Sequence, residues 1–599
     1  MDIYNASKED IWVGLYDQSN KKCDTPIGGS RKALGAGQTI AYDHGGKARV
    51  QIVFWNNAGG WGDKWKQLDV SAFCVAGPKT IFTDAAATLI QEDDDKFYIC
   101  NHVVDSLHPV TVQDKIEHVV VLMMENRSLD NLMGWLYADK GNRPSRNIPQ
   151  PSGTLPSFDG LASDSTNPHE DRRYWNTLLA SQHDTGAKIY ARKAGDGDWD
   201  PELALPSPGP VEVVPGFLES IFGTPTPAAD AVPSMRGYLQ NYRTHLDHAA
   251  TGKSSSQLDT LAEDIMACYT PEQVPAFSAL ARSFAISDRW FCSAPCQTWP
   301  NRSFIHAGTA FGRLNNMEGL DDEGEHGNPF KNIPSSTPYL KKPLLYDVLD
   351  ALGVRWKAYT DSFRSLFYQQ FGKNASSLTD LLKDINRIDE HPNYIFVEPQ
   401  MFFKWPYTQQ DFHPPSKVKD GDETIRRVYE MLVQAGIWHK TMLIVTFDES
   451  GNCYDHVAPP RALRPPASDT PQFDAEEIGT LNPFDMYGPR IPTIVVSPYV
   501  DKGVVFRSGS APVSGIKPEY DHCSVLATVR DWVFGARTLP TDSATRAVFI
   551  DNARVAAAPT VWPVLDSRRR EMPSLDELTN DLASDVDPEL YIEDLFPEE

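Results

Sequence analysis

The chain has 599 residues, 81 of them acidic and 56 basic, and a formal net charge of −25. Hydrophobic residues make up 41% and aromatics 11%, enough for a substantial core, which excludes an intrinsically disordered chain. The acidic balance argues against broad nucleic-acid binding, which needs basic surface to displace counterions from phosphates, and against electrostatic adsorption to anionic membranes. A phosphorylated substrate stays open, because a local cation inverts the sign inside a cleft.

Length alone suggests about four domains at roughly 150 residues each, yet large α/β enzymes exceed that size as one unit. The eight cysteines (Cys23, Cys74, Cys100, Cys268, Cys292, Cys296, Cys453 and Cys523) are too sparse for a disulfide scaffold and show no zinc-ribbon spacing. For Cys292 and Cys296, in FCSAPC, a free buried thiol and a disulfide elsewhere both stay open. The opening MDIYNASKEDIW lacks the basic-then-apolar pattern of a signal peptide, and no run approaches the ~20 apolar residues of a membrane span. The chain reads as soluble; its compartment, and whether it is secreted or exported, is not legible.

Residues 1–110 read as short aromatic and β-branched strands, IWVGLYD, TIAYD, RVQIVFWNNA and KFYICNH, joined by Gly- and Asp-rich connections. The expectation is an N-terminal β-sandwich-like accessory domain. Its Trp12, Trp55, Trp61 and Trp65 read as core packing, with a sugar- or lipid-binding face as the alternative. From Ile116 apolar runs alternate with amphipathic stretches. The runs HVVVLMM, VRWKAYT, YIFVEP, MLIVTF and IPTIVVSPY predict strands buried on both faces. SLDNLMGWLYA, PAFSALARSFA, LLYDVLDALG, DETIRRVYEMLVQAG and CSVLATVRDWVFG predict helices. This alternation predicts an α/β/α layered domain with a mostly parallel sheet over residues 111–560. Residues 138–232, rich in Pro, Gly, Ser and Asp, predict long excursions that form a cap or substrate wall. Residues 561–599 predict an acidic tail, helical or loosely docked.

In open α/β sheets the ligand site lies outside the carboxyl ends of the strands. HVVVLMM ends in Glu125-Asn126 and MLIVTF ends in Asp448-Glu449. If these strands are neighbours, three carboxylates and one amide converge, and such crowding needs a cation among them. Oxygen ligands of this kind suit a hard or borderline divalent ion. Helix N-capping is the plain alternative for each pair. In APCQTWPNRSFIHAGT, Thr298 stands on a Pro-bracketed turn before a helix-like run. That is the placement of a phosphate-attacking nucleophile, or of an ordinary cap. His413 in DFHPPS, His456 in YDHVAPP and His522 in YDHCSV each adjoin an acid at an element border. Each suits a general acid, a phosphoryl ligand or a structural hydrogen-bonder.

Six of these pieces, HVVVLMMENRSLDNLMGWL, DRWFCSAPCQTWPNRSFIHAGT, DFHPPS, IVTFDESGNCYDHVAPP, YGPRIPTIVVSPY and YDHCSVLATVRDWVFG, occur in an order that resembles the phosphoesterase family. That family holds bacterial and plant non-specific phospholipases C and an acid phosphatase branch, within the alkaline phosphatase superfamily. The resemblance covers roughly residues 115–540 and implies an alkaline-phosphatase-like α/β/α sandwich. It implies one divalent metal ion, of unfixed identity (Zn, Ca, Mg or Mn), held by Glu125, Asn126, Thr298, Asp448 and Glu449. It implies Thr298 as a nucleophile that forms a phosphothreonine intermediate, and it places His413, His456 and His522 at family active-site or motif positions.

The sequence departs from the family pattern at three places. After the acidic pair stands Ser450-Gly451-Asn452 where the family has His-Gly-Gly or similar. In VEVVPGFLESIFG a family histidine is missing and Glu212 stands nearest. A double histidine is absent around AYTDSF. The implied function is metal-dependent phosphodiester hydrolysis in the phospholipase C manner, on a phospholipid or small phosphate ester, with transient membrane contact at most. The alternatives are an acid phosphatase acting on phosphomonoesters, and a non-catalytic binding protein with a decayed site.

Overall fold

The computed structural model describes residues 112–566 apart from 139–142, 164–166, 179–187, 196–203, 250–251, 317–342, 361–370, 372–373, 386–391, 402–408, 467–477 and 536–538, together with the strand paths between residues 2 and 100. The acidic C-terminal tail and the side chains of Trp12, Trp55, Trp61 and Trp65 lie outside the described residues. All four N-terminal runs coincide with strands: Ile11–Asp17, Thr39–Ala41, Arg49–Asn56 and Lys96–Cys100. The N-terminal strands join into two five-stranded sheets, and Ile11–Asp17 pairs antiparallel with Arg49–Asn56 along its whole length.

The central sheet has nine described strands: β1 (His118–Met124), β2 (Arg146–Ile148), β3 (Ala285–Ser287), β4 (Trp356–Thr360), β5 (Ala375–Ser376), β6 (Tyr394–Glu398), β7 (Thr441–Phe447), β8 (Thr493–Val496) and β9 (Val504–Phe506). Their order is β2-β9-β3-β8-β7-β1-β6-β4-β5. Only β8 among them runs against the rest, pairing antiparallel with both β7 and β3. The mostly parallel sheet expected from the apolar runs is present, with one reversed strand that the runs did not announce. The central strands β1, β6 and β7 are buried at every residue, so both of their faces are covered. That is why they read as unbroken apolar stretches.

The framing helices are α1 (Leu129–Met133), α2 (Val214–Phe222), α3 (Tyr238–His248), α4 (Pro275–Ser283), α5 (Thr298–Ala307), α6 (Val418–Gln434) and α7 (His522–Phe534). Helix α4 packs on α6, and the Asp422 carboxylate of α6 accepts the Ala276 and Phe277 N–H groups of α4's first turn at 2.9 and 2.8 Å. Helix α5 packs on α7, whose Trp532 is fully buried and donates its indole N–H to the Ile116 carbonyl at 2.8 Å. The excursion after α1 is more ordered than its composition suggests. Glu170–Asn176 pairs antiparallel with Ile189–Lys193, Ala267–Cys268 extends that small sheet, and α2 follows. No described helix is long and apolar enough to cross a membrane.

Trp532 holds α7 to the base of β1. Trp532→Ala is expected to cost about 3–5 kcal/mol in urea-monitored unfolding. A cost under about 1 kcal/mol would show that the indole is not a core element.

Candidate active site

Strands β1 and β7 are parallel neighbours in a register that sets Met124 opposite Phe447. The next residues, Glu125 and Asp448, therefore emerge side by side at the carboxyl edge of the sheet. The Asn126 N–H donates to Asp448 Oδ1 at 3.1 Å, and the Glu449 N–H donates to the same oxygen at 2.7 Å. Asn126 has a φ of 58°, in the left-handed region that asparagine tolerates better than most residues. Gly451 is required by a close approach, because a Cβ there would lie 2.1 Å from the Asn126 carbonyl oxygen. N-capping does not explain these acids. The cap of α1 is Ser128, whose Oγ accepts the Asn131 N–H at 3.2 Å, and no described helix begins at Asp448-Glu449.

Facing these strand ends is α5. Its first residue is Thr298; the cap position belongs to Gln297, which makes no side-chain cap bond. Asn301 fixes the preceding turn, its amide donating to the Cys296 carbonyl at 2.7 Å and its Oδ1 accepting the Ala294 N–H at 3.2 Å. One turn after Thr298, and so on the same helix face, comes Arg302. Its guanidinium is fully buried and donates to Glu398 Oε1 at 2.9 Å, Glu125 Oε1 at 3.0 Å and Asp448 Oδ2 at 3.2 Å. Glu398 ends β6, so three adjacent strands each deliver one carboxylate to a single arginine.

Behind this cluster, Asp411 accepts the His413 N–H at 2.9 Å, and its own carbonyl accepts the Glu125 N–H at 2.8 Å. His413 Nε2 stands 3.2 Å from Glu212 Oε1. Burial pushes the Glu125 and Glu449 carboxyls well above the usual range, assisted in both by the Asp448 charge. Burial also lifts Asp448, against the pull of Arg302, and raises Asp411 to about 7. Negative groups thus outnumber the cations beside them. The Asn126 amide oxygen and nitrogen, Glu449 Oε1 and Ser450 Oγ are buried with no hydrogen-bond partner among the described residues. Unpartnered hard oxygens beside an excess of carboxylate fit a divalent cation.

Residues 116–535 match the model of the phosphoesterase family. This chain belongs to that family. It is 28% identical to non-specific phospholipase C1 of Arabidopsis thaliana over 441 residues, 71% of this chain and 68% of the relative. It is 25% identical to phospholipase C A of Mycobacterium tuberculosis over 488 residues, 76% and 78% of the two chains. It is 25% identical to the non-hemolytic phospholipase C of Pseudomonas aeruginosa over 440 residues, 69% and 53% of the two. The phosphoesterase family and its phospholipase C relatives make this chain a phosphoric ester hydrolase.

The other two phosphoesterase-motif histidines sit apart from the ligand cluster. His456 Nδ1 is 2.5 Å from Asp130 Oδ2, its Nε2 is 3.3 Å from Asp159 Oδ1, and its ring stacks on Tyr174 at 4.0 Å. Asp130, Asp455 and His456 offer ligand atoms within 4.8 Å of one another. A cation already serves them, since the buried Arg490 guanidinium donates to Asp130 Oδ1 and Asp455 Oδ1, each at 2.9 Å. We read this group as a brace and not as a metal centre. Burial alone would depress His456, but the Asp130 and Asp159 carboxylates outweigh it and push the ring up to about 9. His522, the first residue of α7, is buried between Ser293 Oγ at 3.0 Å and the Phe447 carbonyl at 2.9 Å, and burial lowers it to about 4. A neutral ring there steadies the residue preceding Asp448.

Sequence reading did not single out Arg302, Glu398 or Asp411. Two signals were available: the apolar run in YIFVEP also ends at an acid, Glu398, and Arg302 lies four residues beyond Thr298. Cys292 and Cys296 are both free and buried, which closes the disulfide alternative.

Arg302→Met leaves Glu125, Glu398 and Asp448 without their common donor. The expected loss is about 3–5 kcal/mol of unfolding free energy. Wild-type stability in that variant would mean that the carboxyls carry protons in the folded protein. For His456, a folded pKa of about 9 lies above its ordinary value of ~6.5. The stabilisation it provides is therefore complete below pH ~6.5 and disappears as pH rises through about 9. Thermal melts should show this decline in the wild type and a flatter profile in His456→Gln; parallel profiles would place the proton elsewhere.

Proposed function

We propose that this phosphoesterase hydrolyses phosphodiester bonds in the phospholipase C manner, through a phosphothreonine intermediate at Thr298. The observation that carries the reading is the meeting of Glu125-Asn126 and Asp448-Glu449 at one edge of the sheet, with the buried oxygens of Asn126 and Glu449 unpartnered. Glu125, Asn126, Thr298, Asp448 and Glu449 would hold one divalent cation, which would satisfy those oxygens. Such an ion supplies Lewis acidity, lowering the pKa of a coordinated hydroxyl and neutralising charge on a phosphoryl group.

The chain's own residues do the rest. Thr298 Oγ, at the N-terminus of α5, attacks phosphorus, and the backbone N–H groups of the helix's first turn favour the anion. The bond from phosphorus to the leaving oxygen breaks as the Oγ–P bond forms. His413 Nε2 gives its proton to the departing alkoxide. Thr298 gives its hydroxyl proton to solvent as it attacks; the same ring then takes a proton from the water that attacks the phosphothreonine, and the released Thr298 oxygen regains a proton from solvent. Arg302 favours the ionised forms of Glu125 and Asp448 against their burial and holds both oriented. Leu205 and Val211 of the excursion fasten the substrate wall to this edge, accepting hydrogen bonds from Arg127 and Asn452 respectively. Residues 1–110 form an accessory domain outside the reaction.

The test pairs a phosphocholine lipid with a small phosphomonoester, each with metal analysis of the purified protein. The lipid diester is expected to be the better substrate. Thr298→Ala should fold normally and lose turnover, by a factor of about 10³ or more. Asp448→Ala should lose bound metal along with activity. Near-wild-type rates in Thr298→Ala remove the covalent route, and full metal occupancy in Asp448→Ala removes that residue as a ligand.

A further inference from the structure

The contact that the reaction scheme leaves unexplained is the ion pair at the mouth of the site. His413 Nδ1 lies 2.7 Å from the Pro414 carbonyl oxygen, and Nε2 lies 3.2 Å from Glu212 Oε1. A carbonyl and a carboxylate only accept, so both ring nitrogens donate and the ring is an imidazolium. The Glu212 charge, outweighing burial, supports the same protonation state. The side chains of His413 and Glu212 are 28% and 14% exposed, whereas the neighbouring Glu125, Asp448 and Glu449 are sealed. The carboxylate comes from the excursion and not from the sheet. Its backbone is anchored, because the next residue back, Val211, accepts the Asn452 amide at 2.8 Å.

We infer that Glu212 determines specificity, its fixed negative charge at the mouth of the site favouring singly charged phosphodiesters over doubly charged phosphomonoesters. This rests on the phosphoryl-transfer reading above. A diester spreads one charge over two non-bridging oxygens; a monoester carries up to two charges near neutral pH. The imidazolium attracts both, and a carboxylate beside it cancels much of that attraction. The loss falls harder on the doubly charged ligand, which is selection by a repulsive element. No other described cation in the cluster compensates, because Arg302 is engaged by three carboxylates.

Glu212→Gln keeps an acceptor for His413 Nε2 and removes the charge; Glu212→Asp keeps the charge. The full-length proteins are compared at about pH 6, where a histidine of ordinary pKa is mostly charged, on p-nitrophenyl phosphate and methyl p-nitrophenyl phosphate. Glu212→Gln should raise kcat/KM for the monoester relative to the diester by about tenfold or more, with Glu212→Asp within about twofold of wild type. An unchanged ratio in Glu212→Gln overturns the inference. Calorimetry at the same pH with sulfate, which is doubly charged there, and dimethyl phosphate, which is singly charged, reads the same selectivity without turnover. Sulfate should bind about tenfold more tightly to Glu212→Gln than to wild type, and dimethyl phosphate about equally to both. Equal sulfate affinities, or no sulfate binding by either protein, overturn the inference. If neither ester is turned over but the calorimetric difference holds, the reaction scheme fails and the charge selectivity stands.

Discussion

Three parallel strands end in Glu398, Glu125 and Asp448, and the guanidinium of Arg302 lies among all three, entirely out of water. Burying so many carboxylates is tolerable only when their charges are met at short range by directed donors. Arginine suits the place because its planar fork presents donors in several fixed directions, which an ammonium on a flexible stem does not. The same residue rides on the helix that begins at Thr298. One side chain therefore sets the spacing between the hydroxyl-bearing helix and the sheet edge.

Two more buried arginines repeat this logic around the edge. Arg490 gathers Asp130 and Asp455, and its backbone carbonyl accepts the Leu129 N–H at the start of α1. Arg127 donates to the Phe412 carbonyl at 2.7 Å and to Asn131 Oδ1 at 3.0 Å, tying the segment after β1 to the one that carries His413. The loops that follow the strand ends are thus pinned by ionic hydrogen bonds, while apolar packing beneath them holds the strands. A protein with net charge −25 places its buried cations where its acids are densest.

Much of the sheet was legible in the sequence because central strands buried on both faces leave unbroken apolar runs, as in HVVVLMM and MLIVTF. The short strands β2, β3, β5 and β9 were not, since two or three residues leave no periodicity to read. The reversal of β8 was hidden too, because direction leaves no mark on an apolar tetrapeptide. At the site, the acidic pairs after β1 and β7 pointed to one another through the rule that ligands sit at strand ends. What pattern alone could not supply was which distant cation meets them. Arg302 is adjacent to Asn301 in sequence, yet their tasks differ entirely: one orders a turn and the other binds three strands. His456 and His522 look alike in sequence, each following Tyr-Asp. The structure separates them by their neighbours, one buried and one part-exposed carboxylate for His456 and a hydroxyl and a carbonyl for His522.

The wall of the site is joined to its floor largely through main-chain oxygens: Arg127 reaches the Leu205 carbonyl and Asn452 reaches the Val211 carbonyl. Every amino acid carries that oxygen, so the seam is indifferent to which side chains the wall displays. The seam therefore leaves the side chains at Leu205 and Val211 open to change, whereas Gly209, where a Cβ would lie 2.7 Å from the Pro414 carbonyl oxygen, is held to glycine. With charge selectivity assigned to Glu212, selectivity and the proposed chemistry lie on separate stretches of chain, the excursion and the sheet edge.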